Sequence, residues 1–85
     1  MLNNSINKVG IRNGEEFIRL GQALKKCGKV SSGVDAKEII IGGEVKVNGE
    51  TETRRGRKLR SGDIIEYDGS RIEVVAEESM ETEQK

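Results

Sequence analysis

This 85-residue sequence predicts an α+β fold in which two helices pack on a small antiparallel sheet, and three features point to it. Phe17, Leu20, Leu24 and Cys27 recur at spacings of three and four, the mark of one apolar helix face. After Gly43 the period changes to two, with Val45 and Val47, then Ile65 and Tyr67, then Ile72, Val74 and Ala76. The pairs Asn48-Gly49 and Asp68-Gly69 sit between alternating segments, where a two-residue hairpin turn needs positive φ at both positions.

Taken in order, Ile6 to Arg12 alternate weakly and read as a short edge strand closed by Asn13-Gly14. A helix from Glu15 to Cys27 follows, its early glutamates suited to the positive end of the helix dipole. Phe17, Leu20 and Leu24 are assigned to its buried face. Gly28 stops it, with Lys25, Lys26 and Lys29 around its negative end. Val30 to Gly33 is a loop. A second helix runs from about Val34 to the stop at Gly42-Gly43, with Ala36, Ile39 and Ile40 inward. Strand 45–47, a basic run, a turn at Ser61-Gly62-Asp63 and two further strands complete the domain at residue 76. From Glu77 the chain turns acidic and nearly free of apolar residues, the composition of a disordered tail.

Composition narrows the function classes. A hydrophobic fraction of 33% and an aromatic fraction of 2% imply a thin aliphatic core. Cys27 is the one cysteine and histidine is absent, so there is no disulfide, no thiol–imidazole pair and no His or Cys metal set. No cofactor is expected and no enzyme is assembled. Neither a signal peptide nor a membrane-length apolar run is visible, and the expectation is a cytoplasmic monomer.

The formal net charge is zero, yet the charges are segregated. Arg54, Arg55, Arg57, Lys58 and Arg60 place five cations in seven positions, and Lys46 precedes them. Glu73, Glu77, Glu78, Glu81 and Glu83 dominate the end of the chain. A local basic field can bind phosphate on a neutral protein, and the planar arginine fork suits phosphate geometry. The bland alternative for this run is a solvated loop that keeps a small protein soluble and bears no structural load.

The string Gly43-Glu44-Val45-Lys46-Val47-Asn48-Gly49, followed by Gly62-Asp63, is the most specific motif. With Arg19-Leu20, Gly28, Ser32, Asp35-Ala36 and Ile39-Ile40 at their spacings, it resembles the RNA-binding domain named after small-subunit ribosomal protein S-four. The resemblance covers residues 17 to about 67. The short leading strand and the Arg-Arg-Gly-Arg-Lys run resemble the standalone bacterial members of the YbcJ/YaaA type. It implies an alpha-L type motif that binds structured, often ribosomal, RNA through the two helices and the following hairpin, in ribosome assembly or translation. The face implied carries Arg19, Lys37, Lys46, Arg54, Arg55, Arg57, Lys58 and Arg60. Two positions depart from the family pattern. Gly21 stands where many members carry an acidic residue, and Gly33 where many carry an arginine.

The kind of RNA is expected from what is scarce. Single-strand readers stack bases on exposed aromatics, and here Phe17 is claimed by the core while Tyr67 lies on the far side of the motif. A stacking platform is therefore not expected, and recognition by phosphate and shape is. The rival reading is a ubiquitin-like sulfur carrier or a protein-interaction module without RNA binding. A carrier needs a terminal Gly-Gly, places its strands first, and has no need of an arginine-rich loop, whereas this chain ends Glu-Thr-Glu-Gln-Lys.

Overall fold

The structure, a computed structural model, describes residues 6–77. Its elements in order are β1 (Ile6–Ile11), β2 (Ile18–Arg19), α1 (Leu20–Lys26), α2 (Gly33–Ile41), β3 (Val45–Val47), β4 (Glu50–Thr51), β5 (Lys58–Leu59), β6 (Ile64–Tyr67) and β7 (Ser70–Ala76). The main sheet has the order β1-β7-β6-β3-β4, and β2 with β5 forms a separate two-stranded ribbon. This is the expected α+β arrangement of two helices with a mostly antiparallel sheet. The exception is the edge strand β1, which runs parallel to β7 with Val9 opposite Val74. A parallel neighbour needs a crossover, and the whole of the intervening chain supplies it.

Alternation sets the inner face of the sheet. Val9 and Ile11, Val45 and Val47, Ile65, and Ile72 with Val74 are buried there against Leu20, Ala23, Leu24, Ala36 and Ile40 of the helices. Cys27 is half-buried against this cluster, as a small apolar residue would be. Ser32 caps α2, its Oγ accepting from the Asp35 N–H at 3.2 Å. Asn48 and Gly49 both have positive φ, 54° and 87°, and close the two-residue β3–β4 turn as expected.

The first helix is shorter than its apolar period suggests. It begins at Leu20, not Glu15, because Ile18 and Arg19 are extended and pair with Leu59 and Lys58. The N–H groups that open α1 are capped from afar: Leu20 donates to the Arg57 carbonyl at 2.9 Å and Gly21 to that of Arg55 at 3.0 Å. Tertiary pairing thus overrides a helical spacing that Phe17 happened to share. At the other end Gly28 terminates α1 as predicted, and Lys29 N–H closes onto Leu24. Lys26 and Lys29 act as braces, Lys26 reaching the Gly10 carbonyl and Glu77, and Lys29 reaching Ser70. Glu77, assigned by composition to the tail, is therefore tied to α1. The remainder of the acidic tail, 78–85, lies outside the described residues. Among the described residues no helix is long and apolar enough to cross a membrane.

Candidate nucleic-acid interface

The ribbon β2–β5 is the framework of the basic surface. Its register opposes Ile18 to Leu59 and Arg19 to Lys58. Ile18 and Leu59 are buried, so alternation turns their neighbours Phe17, Arg19, Lys58 and Arg60 outward. Phe17 accordingly is not a core residue. It is half-buried on the outer face, with the Lys58 Nζ 4.8 Å, the Arg19 guanidinium 5.4 Å and the Arg60 guanidinium 6.0 Å from its ring centre.

The loop between β4 and β5 is built around a single carboxylate. Glu52 is buried, 6% exposed. Its Oε2 accepts from the Arg54 backbone N–H at 3.0 Å and from Arg54 Nε at 2.9 Å. Its Oε1 accepts from Arg54 Nη2 at 3.1 Å and from Arg57 Nη1 at 2.9 Å. Arg54 and then Arg57, through these side-chain hydrogen bonds, hold the Glu52 carboxyl far below its ordinary value, at about 2, against the opposing effect of burial. The same contact raises the Arg54 guanidinium further. Two of the five loop cations are thus committed to shaping the loop, a role that neither phosphate contact nor the bland reading of a solvated run includes.

That shape delivers the loop onto α1. Besides the two carbonyl caps, the Gly56 carbonyl accepts from Arg19 Nη1 at 3.0 Å. Gly21 is buried beneath Arg55, and a Cβ at this position would stand 2.8 Å from Arg55 Cγ. The glycine that departs from the family pattern is what admits the arginine loop. A cleft of about 320 Å³ results, lined by Arg19, Gly21, Gln22, Lys25, Gly33 and Arg55 among others. It brings together two of the expected residues, Arg19 and Arg55, with Lys25, which the helix dipole had seemed to account for. Gly33, where an arginine was missed, forms one wall of this cleft and leaves it open. Lys37 is exposed one turn further along α2.

Lys46 is not brought to this cluster. Its neighbours Val45 and Val47 are buried, so it projects from the opposite face of the sheet, in register with Glu66. Asn48 and Asp63 are architectural. Asn48 Oδ1 accepts from the Ile64 N–H and its Nδ2 donates to Asp63 Oδ1, while Asp63 Oδ2 accepts from the Arg60 N–H at 2.8 Å. This clamp joins the Val-Asn-Gly turn to the Gly-Asp turn and sets where β5 ends. Among the described residues no acidic side chain lies within ion-pair distance of Arg19, Lys25, Arg55, Lys58 or Arg60. Nor does any group of three or more Cys, Asp or Glu there suit a metal ion.

A buried ribbon pin, a carboxylate-shaped arginine loop and a cationic cleft at the start of two helices invite comparison with known proteins. The family model described as "S4 domain" matches residues 9–75. The "Probable ribosome maturation protein RlbA" of Bacillus subtilis (strain 168) is 48% identical over 54 residues, which span 64% of this chain and 76% of that protein. YbcJ of Escherichia coli (strain K12) is 39% identical over 59 residues, 69% of this chain and 84% of its own. The solution structure of YbcJ from E. coli, described as revealing an alpha-L motif involved in RNA binding, superposes with a TM-score of 0.62. The two are 34% identical, over 89% of this chain and 98% of that one.

Proposed function

This chain belongs to the S4 domain family, and we propose that it is a non-enzymatic, cytoplasmic RNA-binding protein that grips structured ribosomal RNA during ribosome maturation. The observation that carries the proposal is the convergence of Arg19, Lys25 and Arg55 on the cleft between α1, α2 and the arginine loop. Cations held on rigid elements at one concave surface suit a bent phosphate backbone better than a flat solvated patch would. The likeness to a ribosome maturation protein and to an alpha-L motif structure supports the same reading. In it Arg19, Arg55, Lys58 and Arg60 contact phosphates with Lys25, Lys37 flanks them on α2, and Arg54 and Arg57 position the loop.

The test is a titration with a ribosomal RNA hairpin at fixed salt, the monomeric protein carrying either Gly21→Ala or Lys46→Glu. Gly21→Ala displaces Arg55 and is expected to weaken binding by roughly tenfold or more, the worth of about one charge-assisted contact. Its melting curve should stay within about 1 kcal/mol of wild type, since alanine improves a helix by about that amount. Lys46→Glu, on the opposite sheet face, should bind normally. Loss of binding by Lys46→Glu with none by Gly21→Ala would move the site to the sheet. Crosslinking in cells that recovers protein partners and no ribosomal RNA would overturn the function itself.

A further inference from the structure

We propose that Phe17 is the base of a nucleotide-stacking site, taking one unpaired nucleobase of the RNA beside the helical part held at the cleft. The inference rests on the RNA-binding reading above and names what that RNA must present. Sequence alone argued against any stacking platform because Phe17 was assigned to the core. The structure instead sets it on the outer face of β2–β5, outside the buried cluster, with Arg19, Lys58 and Arg60 around the ring.

The core position of the ribbon belongs to Ile18 and Leu59, so Phe17 is not needed to fill it; the ring keeps part of its surface in water, and its present cover is the three cations. The surrounding chemistry fits a nucleotide. An aromatic face with arginine planes beside it is the usual bed for an unstacked base, and the three cations offer counter-charges to its phosphates. A cleft of about 400 Å³ opens against the ring, lined by Gly14, Glu15, Glu16, Phe17 and Gln22. Its carboxylates and side-chain amide can meet the amino and imino edges of a base, and the cations over the ring can meet its phosphate. Arg19 belongs to both places, since it borders the cationic cleft and lies over the Phe17 ring. A base stacked on Phe17 would therefore lie directly beside the phosphates held at the cleft.

The experiment compares three RNA hairpins identical in their stems: blunt, carrying a single bulged nucleotide, or carrying a single-nucleotide overhang. Wild type should bind one of the unpaired forms about tenfold more tightly than the blunt form, the worth of one stacked base. Phe17→Leu keeps apolar bulk without a π face and should erase that advantage while leaving blunt-stem affinity intact. Phe17→Trp should preserve it, and its fluorescence should be quenched on adding the unpaired form only. Equal affinity of wild type for all three hairpins, or an unchanged preference in Phe17→Leu, overturns the stacking site and leaves the RNA-binding reading standing. Failure of wild type to bind any of the hairpins would overturn both.

Discussion

Glu52 shows how one carboxylate can decide the use of a whole charge run. A buried, ionised side chain is costly alone, and here two guanidinium groups and a backbone N–H offset that cost. Replacing it by glutamine removes the charge that Arg54 and Arg57 share, at a cost of about 1–3 kcal/mol. The folded carboxyl titrates at about 2 against an ordinary 4.5, so its stabilisation is complete above the ordinary value and fades as pH falls through the folded one. Melting curves of wild type and Glu52→Gln should accordingly be well separated at neutral pH and draw together toward pH ~2. A gap of constant size across that range would mean that the ion pair contributes nothing to stability. Arg57→Glu, by the same geometry, should disturb folding as well as binding.

At the scale of elements, the ribbon β2–β5 does more for the site than either helix. Leu59 is fully buried in the middle of the basic run, where it pins the loop to the body of the protein. Leu24, equally buried, pins α1 to the sheet. Truncating either to alanine should cost about 2–5 kcal/mol. The two should part company in function: Leu59→Ala frees the arginine loop and should lose RNA affinity even at temperatures where it remains folded, whereas folded Leu24→Ala should bind nearly as wild type. Equal affinity of the two folded variants would show that the loop needs no anchor. The alternation Phe17-Ile18-Arg19 against Lys58-Leu59-Arg60 has the spacing of a ribbon, but Phe17 also lies three residues before Leu20, in step with a helix, and the helical period masks it.

Along the whole chain, zero net charge conceals a basic middle and an acidic C-terminal stretch. Arg54 and Arg57 being partly neutralised by Glu52, the cations at the cleft and ribbon without an acidic partner among the described residues are Arg19, Lys25, Arg55, Lys58 and Arg60. If these meet about four phosphates, the logarithm of affinity should fall against the logarithm of salt with a slope of about −3 to −4. Arg55→Glu should flatten the slope by about one contact's share, while Arg54→Glu should lower affinity through loop disorder. A slope near zero would point to a partner bound without phosphate contacts.

Periodicity and turn chemistry sufficed by themselves for the α+β class, the second helix, the hairpin at Asn48-Gly49 and the architectural role of that pair. Those features are local: each depends on neighbours a few residues away, and the chain states them directly. Three things depended on the fold. Leu20 and Gly21 take their caps from carbonyls more than thirty residues downstream, so the start of α1 could not be read from its own residues. The division of the basic run into loop-shaping Arg54 and Arg57 and outward Arg55, Lys58 and Arg60 follows from where Glu52 and Leu59 are buried. The departure of Lys46 from the cluster, and the arrival of Lys25 and Phe17, follow from which face of a strand or helix the tertiary packing claims. Burial is a property of the assembled core, and sequence spacing alone leaves that choice open wherever one residue satisfies two periods.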